Sequence, residues 1–126
     1  MRAVDTNVLV RLIARDDARQ TTAADTFVAK GALVSHLAIV EAAWVLASVY
    51  DRDADAIATA VEMLLSHEHL TVQDTEVVAA AVAQFRDRPR VGFSDCLMVE
   101  IARKAGHLPL GTFERDLGKI DGVQRL

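Results

Sequence analysis

The stretch AVDTNVL, at Ala3–Leu9, places one aspartate between a short apolar run and the start of a helical pattern. The residues at 2–4 predict a short buried strand, and the apolar residues after Asp5 recur at helical spacing, namely Val8, Leu9, Leu12 and Ile13. Asp5 is therefore expected at the carboxyl end of a strand, where open α/β sheets bind their ligands. A helix N-cap is the structural alternative for the same carboxylate.

Short strands continue to alternate with helices along the rest of the chain. Further strands are predicted at 32–35, 70–72, 109–112 and 123–126. Further helices are predicted at 16–29 with Asp16 or Asp17 as cap, and at 36–50, 53–66, 74–86, 94–106 and 114–120. This alternation predicts an α/β fold with a mainly parallel sheet covered by helices on both faces. No linker or repeat interrupts it, so residues 1–126 are expected to form a single domain.

Composition excludes several classes of protein. The chain has 126 residues, of which 52% are hydrophobic, and a formal net charge of -4. This charge disfavours nucleic-acid binding through a uniformly basic surface, although a local basic patch stays compatible with it. No apolar run is long enough to span a membrane. With one cysteine and no signal-peptide pattern, the cytoplasm is the expected compartment.

Glu41 is the only charged residue in LAIVEAAWVLASV, at 37–49, which has the pattern of a buried helix. A buried ionised carboxylate costs several kcal/mol, roughly, unless it is paired, solvated in a cleft or bound to a cation. The alternative is a helix face that is exposed to solvent. Glu41 is therefore a candidate functional residue.

Two further acidic positions follow in the second half of the chain. Asp95 opens the helix SDCLMVEIARKAG, where Ser94 is the predicted N-cap and an acid in the first turn is favoured by the helix dipole. In GTFERD, at 111–116, Glu114 and Asp116 come just after a predicted strand. The chain thus has four separated acidic positions at the starts of elements or inside an apolar helix.

Electrostatics gives a reason to group these acids. Two carboxylates about 4 Å apart repel by roughly 4 kcal/mol at an effective dielectric constant near 20. A divalent cation relieves this repulsion, and a set of oxygen ligands suits Mg²⁺ or Mn²⁺ better than zinc. Such an ion can activate water and stabilise charge on a phosphate. The pattern therefore indicates metal-dependent phosphodiester hydrolysis.

Four segments, DTNVL, SHLAIVEAAWVL, FSDCLMVEIARKAG and TFERDLGKI, together resemble the PIN-domain family, and specifically the VapC-type toxins of toxin–antitoxin modules. The resemblance covers almost the whole chain. It implies a three-layer α/β/α domain with a central parallel five-stranded sheet. The implied activity is Mg²⁺- or Mn²⁺-dependent cleavage of RNA.

The resemblance also assigns the site residues. The first three acids of the family correspond to Asp5, Glu41 and Asp95. For the fourth acid, relatives commonly have Asp where this chain has Glu114, and Asp116 is the alternative. Asn7 and Thr112 are expected to orient acids or water. The implied reaction is in-line attack by a metal-activated water that leaves a 5′-phosphate and a 3′-hydroxyl.

Partners are implied in the same way. The substrate is expected to be RNA, whether tRNA, rRNA or mRNA, and relatives form homodimers and are inhibited by a small antitoxin. The arginines of the loop RDRPRVG, at 86–92, are candidates for phosphate contact, with an exposed charged loop as the alternative.

Other functions fit the sequence less well. A catalytically weak or inactive PIN-like module could bind RNA or protein only, and the replacement of Asp by Glu114 keeps that reading open. A receiver-like phosphoacceptor domain is disfavoured because the chain has no acid pair near its start. Cys96 lacks a convincing histidine partner, so a buried structural thiol is expected rather than a nucleophile.

Overall fold

The computed structural model describes all 126 residues of the chain. Helices and short strands alternate throughout. The elements are β1 (Arg2–Ala3), α1 (Thr6–Ala14), α2 (Ala18–Val28), β2 (Ala32–Val34), α3 (His36–Ser48), α4 (Ala54–Ser66), β3 (Leu70–Val72), α5 (Thr75–Asp87), α6 (Phe93–Ala105), β4 (Leu110–Thr112), a short 3-10 helix (Leu117–Lys119) and β5 (Val123–Arg125). None of the helices combines the length and the apolar character that crossing a membrane requires.

The chain divides into two compact units. The first unit, Met1–Thr75, contains the strands β1 to β3 and the helices α1 to α4. The second unit, Glu76–Leu126, contains nearly all of α5 together with α6, β4, the 3-10 helix and β5.

All strand pairings are parallel. In the first unit the sheet order is β1-β2-β3, with Ala3 opposite Leu33 and Val34 opposite Val72. In the second unit β4 pairs with β5. The predicted three-layer α/β/α class with a mainly parallel sheet is confirmed in its element types and strand directions.

The five strands pair in one sheet of three strands and one of two, whereas the sequence predicted a single five-stranded sheet. Each strand has only two or three residues. Strands this short offer few backbone groups for pairing with a further strand.

Side-chain caps begin the first four helices. The capping side chains of Asp5, Asp17, Ser35 and Asp53 each accept a hydrogen bond from the backbone N–H three residues later. Asp17, rather than Asp16, therefore starts α2.

The N-cap predicted for α6 is wrong. The helix begins at Phe93, its N-cap is Gly92, and no side chain caps it. Gly92 has a φ of 90°, a conformation that glycine adopts without steric cost. This backbone turn starts the helix before Ser94, and Phe93 is buried with its ring edge towards Phe85, at a centroid distance of 6.1 Å.

The prediction that α3 is buried on all sides is also wrong. One face of α3 belongs to the core, and its buried residues are Ala38, Ile39, Ala42, Ala43 and Leu46. Leu37, Trp44 and Glu41 are exposed. Within the first unit α3 packs against α1 and α4. Because the segment is apolar all round, its sequence pattern could not show which face these neighbours would cover.

The two faces of α3 predict different costs of truncation. Leu46 is 1% exposed, so Leu46→Ala should leave a cavity and lower the free energy of unfolding by about 2–5 kcal/mol. Leu37 is 68% exposed on the same helix, so the matched change Leu37→Ala should stay within about 0.5 kcal/mol. Urea unfolding followed by circular dichroism measures both. Equal losses for the two variants would contradict the assigned orientation of α3.

Candidate active site

Asp5 has the position and the capping contact that the sequence predicted. It follows β1 and is the N-cap of α1, where its Oδ1 accepts a hydrogen bond of 3.1 Å from the backbone N–H of Val8. The carboxylate is exposed, and the cap uses one of its two oxygens. Capping a helix therefore does not prevent Asp5 from binding a ligand.

Glu41 is held by a hydrogen bond to the start of α1. The hydroxyl of Thr6 donates to Oε2 of Glu41 over 2.8 Å. Thr6 directly follows Asp5, so this bond brings Glu41 into the neighbourhood of the first acid. The expectation that Glu41 is buried is wrong, because the exposed face of α3 leaves its carboxylate solvated.

Thr6 is a residue that the sequence analysis missed. Its position beside Asp5 and its hydroxyl were the available signals, but its partner lies 35 residues away in the chain. Only the packing of α1 against α3 shows that the two side chains meet.

Polar groups also occupy the ends of the neighbouring strands in the first unit. Gln73 follows β3, and its Oε1 accepts a hydrogen bond of 3.0 Å from the backbone N–H of His36. Nε2 of His36 in turn lies 2.8 Å from the carbonyl oxygen of Gln73. This double link ties the start of α3 to the end of β3.

Asp95 and Glu114 are brought together in the second unit. Asp95 lies in the first turn of α6 and is partly buried. Burial raises the pKa of Asp95 above its ordinary value, and the negative charge of Glu114 raises it further. The two carboxylates are therefore close enough for one to disfavour ionisation of the other.

The surroundings of the two candidate fourth acids differ. The backbone N–H of Glu114 donates to Oγ1 of Thr112, a buried residue, over 3.0 Å. The Asp116 carboxylate instead lies 3.7 Å from Nζ of Lys119. Glu114 thus acts on Asp95, whereas Asp116 has a cationic neighbour.

The basic loop at 86–92 forms one side of a small cavity in the second unit. The cavity has a volume of about 290 Å³, and its cationic lining residues are Arg88, Arg90 and Lys119. Asp87 and Asp116 also line it. The cations exceed the acids by one, so the cavity has the charge balance of a weak anion site.

The four acids do not form a preformed metal cage. No group of three or more His, Cys, Asp or Glu side chains is arranged to hold a metal ion. Asp5 and Glu41 belong to the first unit, and Asp95 and Glu114 to the second.

A family profile described as the PIN domain matches residues 2–123. The chain belongs to the PIN-domain family. PIN domains are generally nucleases, so the chain has a nuclease-type fold. The match includes all the acidic positions described above. Searches of curated proteins and of solved structures give no match to the chain.

Cys96 lies next to Asp95 in this PIN domain, but it does not have the character of a nucleophile. Its side chain is fully buried. Burial raises the pKa of the Cys96 thiol to about 11, and the charges of Asp95 and Glu100 contribute to this rise. The thiol is therefore protonated near neutral pH.

The Cys96 thiol should be inert in the folded protein. Because its pKa is raised, the thiolate fraction becomes appreciable only as the pH approaches 11, and burial also blocks access. A chromogenic disulfide reagent should release almost no chromophore from native protein near neutral pH and one equivalent after denaturation. Rapid and complete reaction of the native protein would show that the thiol is accessible.

Proposed function

We propose that this PIN domain is an Mg²⁺- or Mn²⁺-dependent endoribonuclease and the toxin of a toxin–antitoxin pair. The observation that carries the proposal is the PIN-domain match over residues 2–123, a range that includes all four acids. The raised pKa of Asp95, to which the charge of Glu114 contributes, agrees with it. A partly buried carboxylate beside another carboxylate is unfavourable without a proton or a cation. Membership of a family of nucleases supports a catalytic reason for retaining the pair.

The donor set fits a hard divalent cation. The proposed ligands are Asp5, Glu41, Asp95 and Glu114, which offer carboxylate oxygens and neither sulfur nor imidazole. Mg²⁺ and Mn²⁺ prefer such ligands. When bound, the ion supplies a positive charge for the scissile phosphate and lowers the pKa of water.

Other residues of the chain restrain these acidic residues through hydrogen bonds. The Thr6 hydroxyl holds the carboxylate of Glu41 by its hydrogen bond to Oε2. Oγ1 of Thr112 accepts a hydrogen bond from the backbone N–H of Glu114 and so restrains the backbone there. Such supporting bonds reduce the freedom of acids that bind a cation. Glu41 or Glu114 polarises the attacking water, and the products are a 5′-phosphate and a 3′-hydroxyl.

RNA is the proposed substrate, as tRNA, rRNA or mRNA. The surplus of positive charge around Arg88 and Arg90 supports contact with phosphates despite the net charge of -4. The family match spans residues on both sides of Thr75, which supports the proposal that residues 1–126 act as a single nuclease domain. We place this activity in the cytoplasm, with its RNA.

A homodimer and a small antitoxin are the proposed protein partners. The exposed apolar side chains of α3 support a protein contact there, since Leu37 is 68% exposed and Trp44 is 67% exposed. Large apolar side chains on a surface often mark such contacts.

A catalytically weak PIN-like module that binds RNA or protein is the second candidate. It is favoured by the Glu at position 114 and by the finding that no three acids are arranged to hold a metal ion. This candidate and the nuclease differ in a single observable, which is metal-dependent cleavage.

The nuclease proposal predicts cleavage of structured RNA with Mg²⁺ or Mn²⁺ and none in EDTA. Asp5→Asn and Asp95→Asn should each lower the rate by about a hundredfold or more, the scale of losing one group that stabilises transition-state charge. Purified wild type and variants are compared on labelled tRNA and rRNA fragments by gel electrophoresis. Intact RNA with wild type and metal would favour the binding module, and equal cleavage by all three proteins would indicate a contaminant.

The fourth acid is tested by a matched pair of variants. Glu114→Gln removes the charge that acts on Asp95, so it should lower the cleavage rate by about ten- to a hundredfold. Asp116→Asn removes an acid whose neighbour is Lys119, and most of the activity should remain. Initial rates at saturating Mg²⁺ measure both. The reverse order of effects would assign the role to Asp116.

A further inference from the structure

Two cavities in the first unit share lining residues of α2. One has a volume of about 550 Å³ and is lined by Asp5, and the other has a volume of about 480 Å³. Both are lined by Ala23 and Phe27 of α2, so they are neighbours along one surface. We name this surface the Phe27 groove, and its polar residues are Asp5, Asn7, Arg11, Gln20, Arg2, Thr26 and Lys30.

The first cavity has hydrogen-bonding groups that the fold does not use. Asn7 and Gln20 are exposed amides on its lining. Arg11 also lines it, and one guanidinium nitrogen pairs with Asp16 over 2.7 Å. Amides and guanidinium N–H groups can bond the edges of unpaired bases and phosphate oxygens. The cavity therefore suits a polar planar ligand.

The second cavity is cationic. Arg2 and Lys30 line it, and it has no acidic lining residue. The guanidinium of Arg2 lies 3.7 Å above the centre of the Phe27 ring and donates to the Phe27 carbonyl oxygen over 3.3 Å. Arg2 and Phe27 thus form a flat stack beside a positively charged cavity.

We propose that the Phe27 groove binds a single-stranded segment of RNA next to the bond that is cut. The proposal rests on the proposed function and adds to it the surface that holds the RNA strand. Aromatic and guanidinium planes that accept bases, together with cations that accept phosphates, are the features of single-strand binding. The paired bases of an RNA duplex are stacked on one another and cannot reach the side chains of Arg2 and Phe27. Because Asp5 lines the groove, a strand bound there would lie beside a proposed catalytic acid.

Binding in EDTA tests the proposal without cleavage. The probes are a fluorescein-labelled single-stranded RNA of about eight nucleotides and a duplex of the same sequence. Phe27→Leu keeps apolar packing, and the hydrogen bond from Arg2 is kept because it ends on a backbone oxygen. This variant should bind the single strand about tenfold more weakly and leave duplex binding unchanged.

Charge removal gives an independent readout. The double variant Arg2→Gln with Lys30→Gln should weaken binding and reduce the slope of log affinity against log salt by about 1.4, since single strands lose about 0.7 per phosphate contact. Arg52→Gln is the matched control, because Arg52 lines neither cavity and should not change the slope. If Phe27→Leu impairs folding, Gln20→Ala replaces it, since Gln20 is exposed.

The outcomes separate this proposal from the nuclease proposal. Unchanged single-strand affinity in the groove variants would overturn the groove, even if wild type cleaves RNA with Mg²⁺. Weakened single-strand binding would support the groove, even if no cleavage occurs. Equal weakening for single strand and duplex would overturn the single-strand specificity. A groove that binds a peptide but no RNA would also overturn the proposal.

Discussion

Parallel pairing of β1, β2 and β3 places the carboxyl ends of these strands at one edge of their sheet. Asp5, Ser35 and Gln73 are the residues found beyond those ends, and each also begins or anchors a helix. A parallel sheet requires a helix to return between strands, so helix starts gather at the same edge. Helix-capping groups and candidate functional groups therefore occupy the same few positions after the strands, and Asp5 is an example of both.

Repulsion between carboxylates is the second constraint on the candidate site. Asp95 is partly buried beside Glu114, and both burial and charge raise the pKa of Asp95. Two threonine hydroxyls restrain acidic residues: that of Thr6 donates to the carboxylate of Glu41, and that of Thr112 accepts from the backbone N–H of Glu114. An arrangement that restrains acids despite their repulsion is typical of a site for a cation.

The sequence predicted those features that depend on local order along the chain. The strand at Leu70–Val72 has the predicted bounds, and Asp17 was one of two caps expected for α2. The burial of α3 was predicted wrongly because the pattern of a helix that is apolar on every side does not indicate which face is buried. The cap of α6 was predicted wrongly because Gly92, rather than a polar side chain, makes the turn.

The contacts that support the candidate site could not be predicted from the sequence, for a different reason. The bond from Thr6 to Glu41 and the stack of Arg2 on Phe27 join residues that are 35 and 25 positions apart, respectively. Sequence patterns report on neighbours within one element, whereas these contacts depend on how elements pack. The acids themselves can be proposed from the sequence because each follows a strand, opens a helix or interrupts an apolar helix. Their role as ligands stays a prediction.

Mn²⁺ binding, followed by electron paramagnetic resonance, tests the central claim most directly. The claim is that the proposed ligands, Asp5 and Asp95 among them, bind a divalent cation. The account predicts that Asp5→Asn and Asp95→Asn each weaken Mn²⁺ binding by at least about tenfold. Asp51→Asn, a change at an exposed left-handed position that Asn tolerates, should leave the affinity unchanged. Wild-type affinity in either of the first two variants would contradict the account.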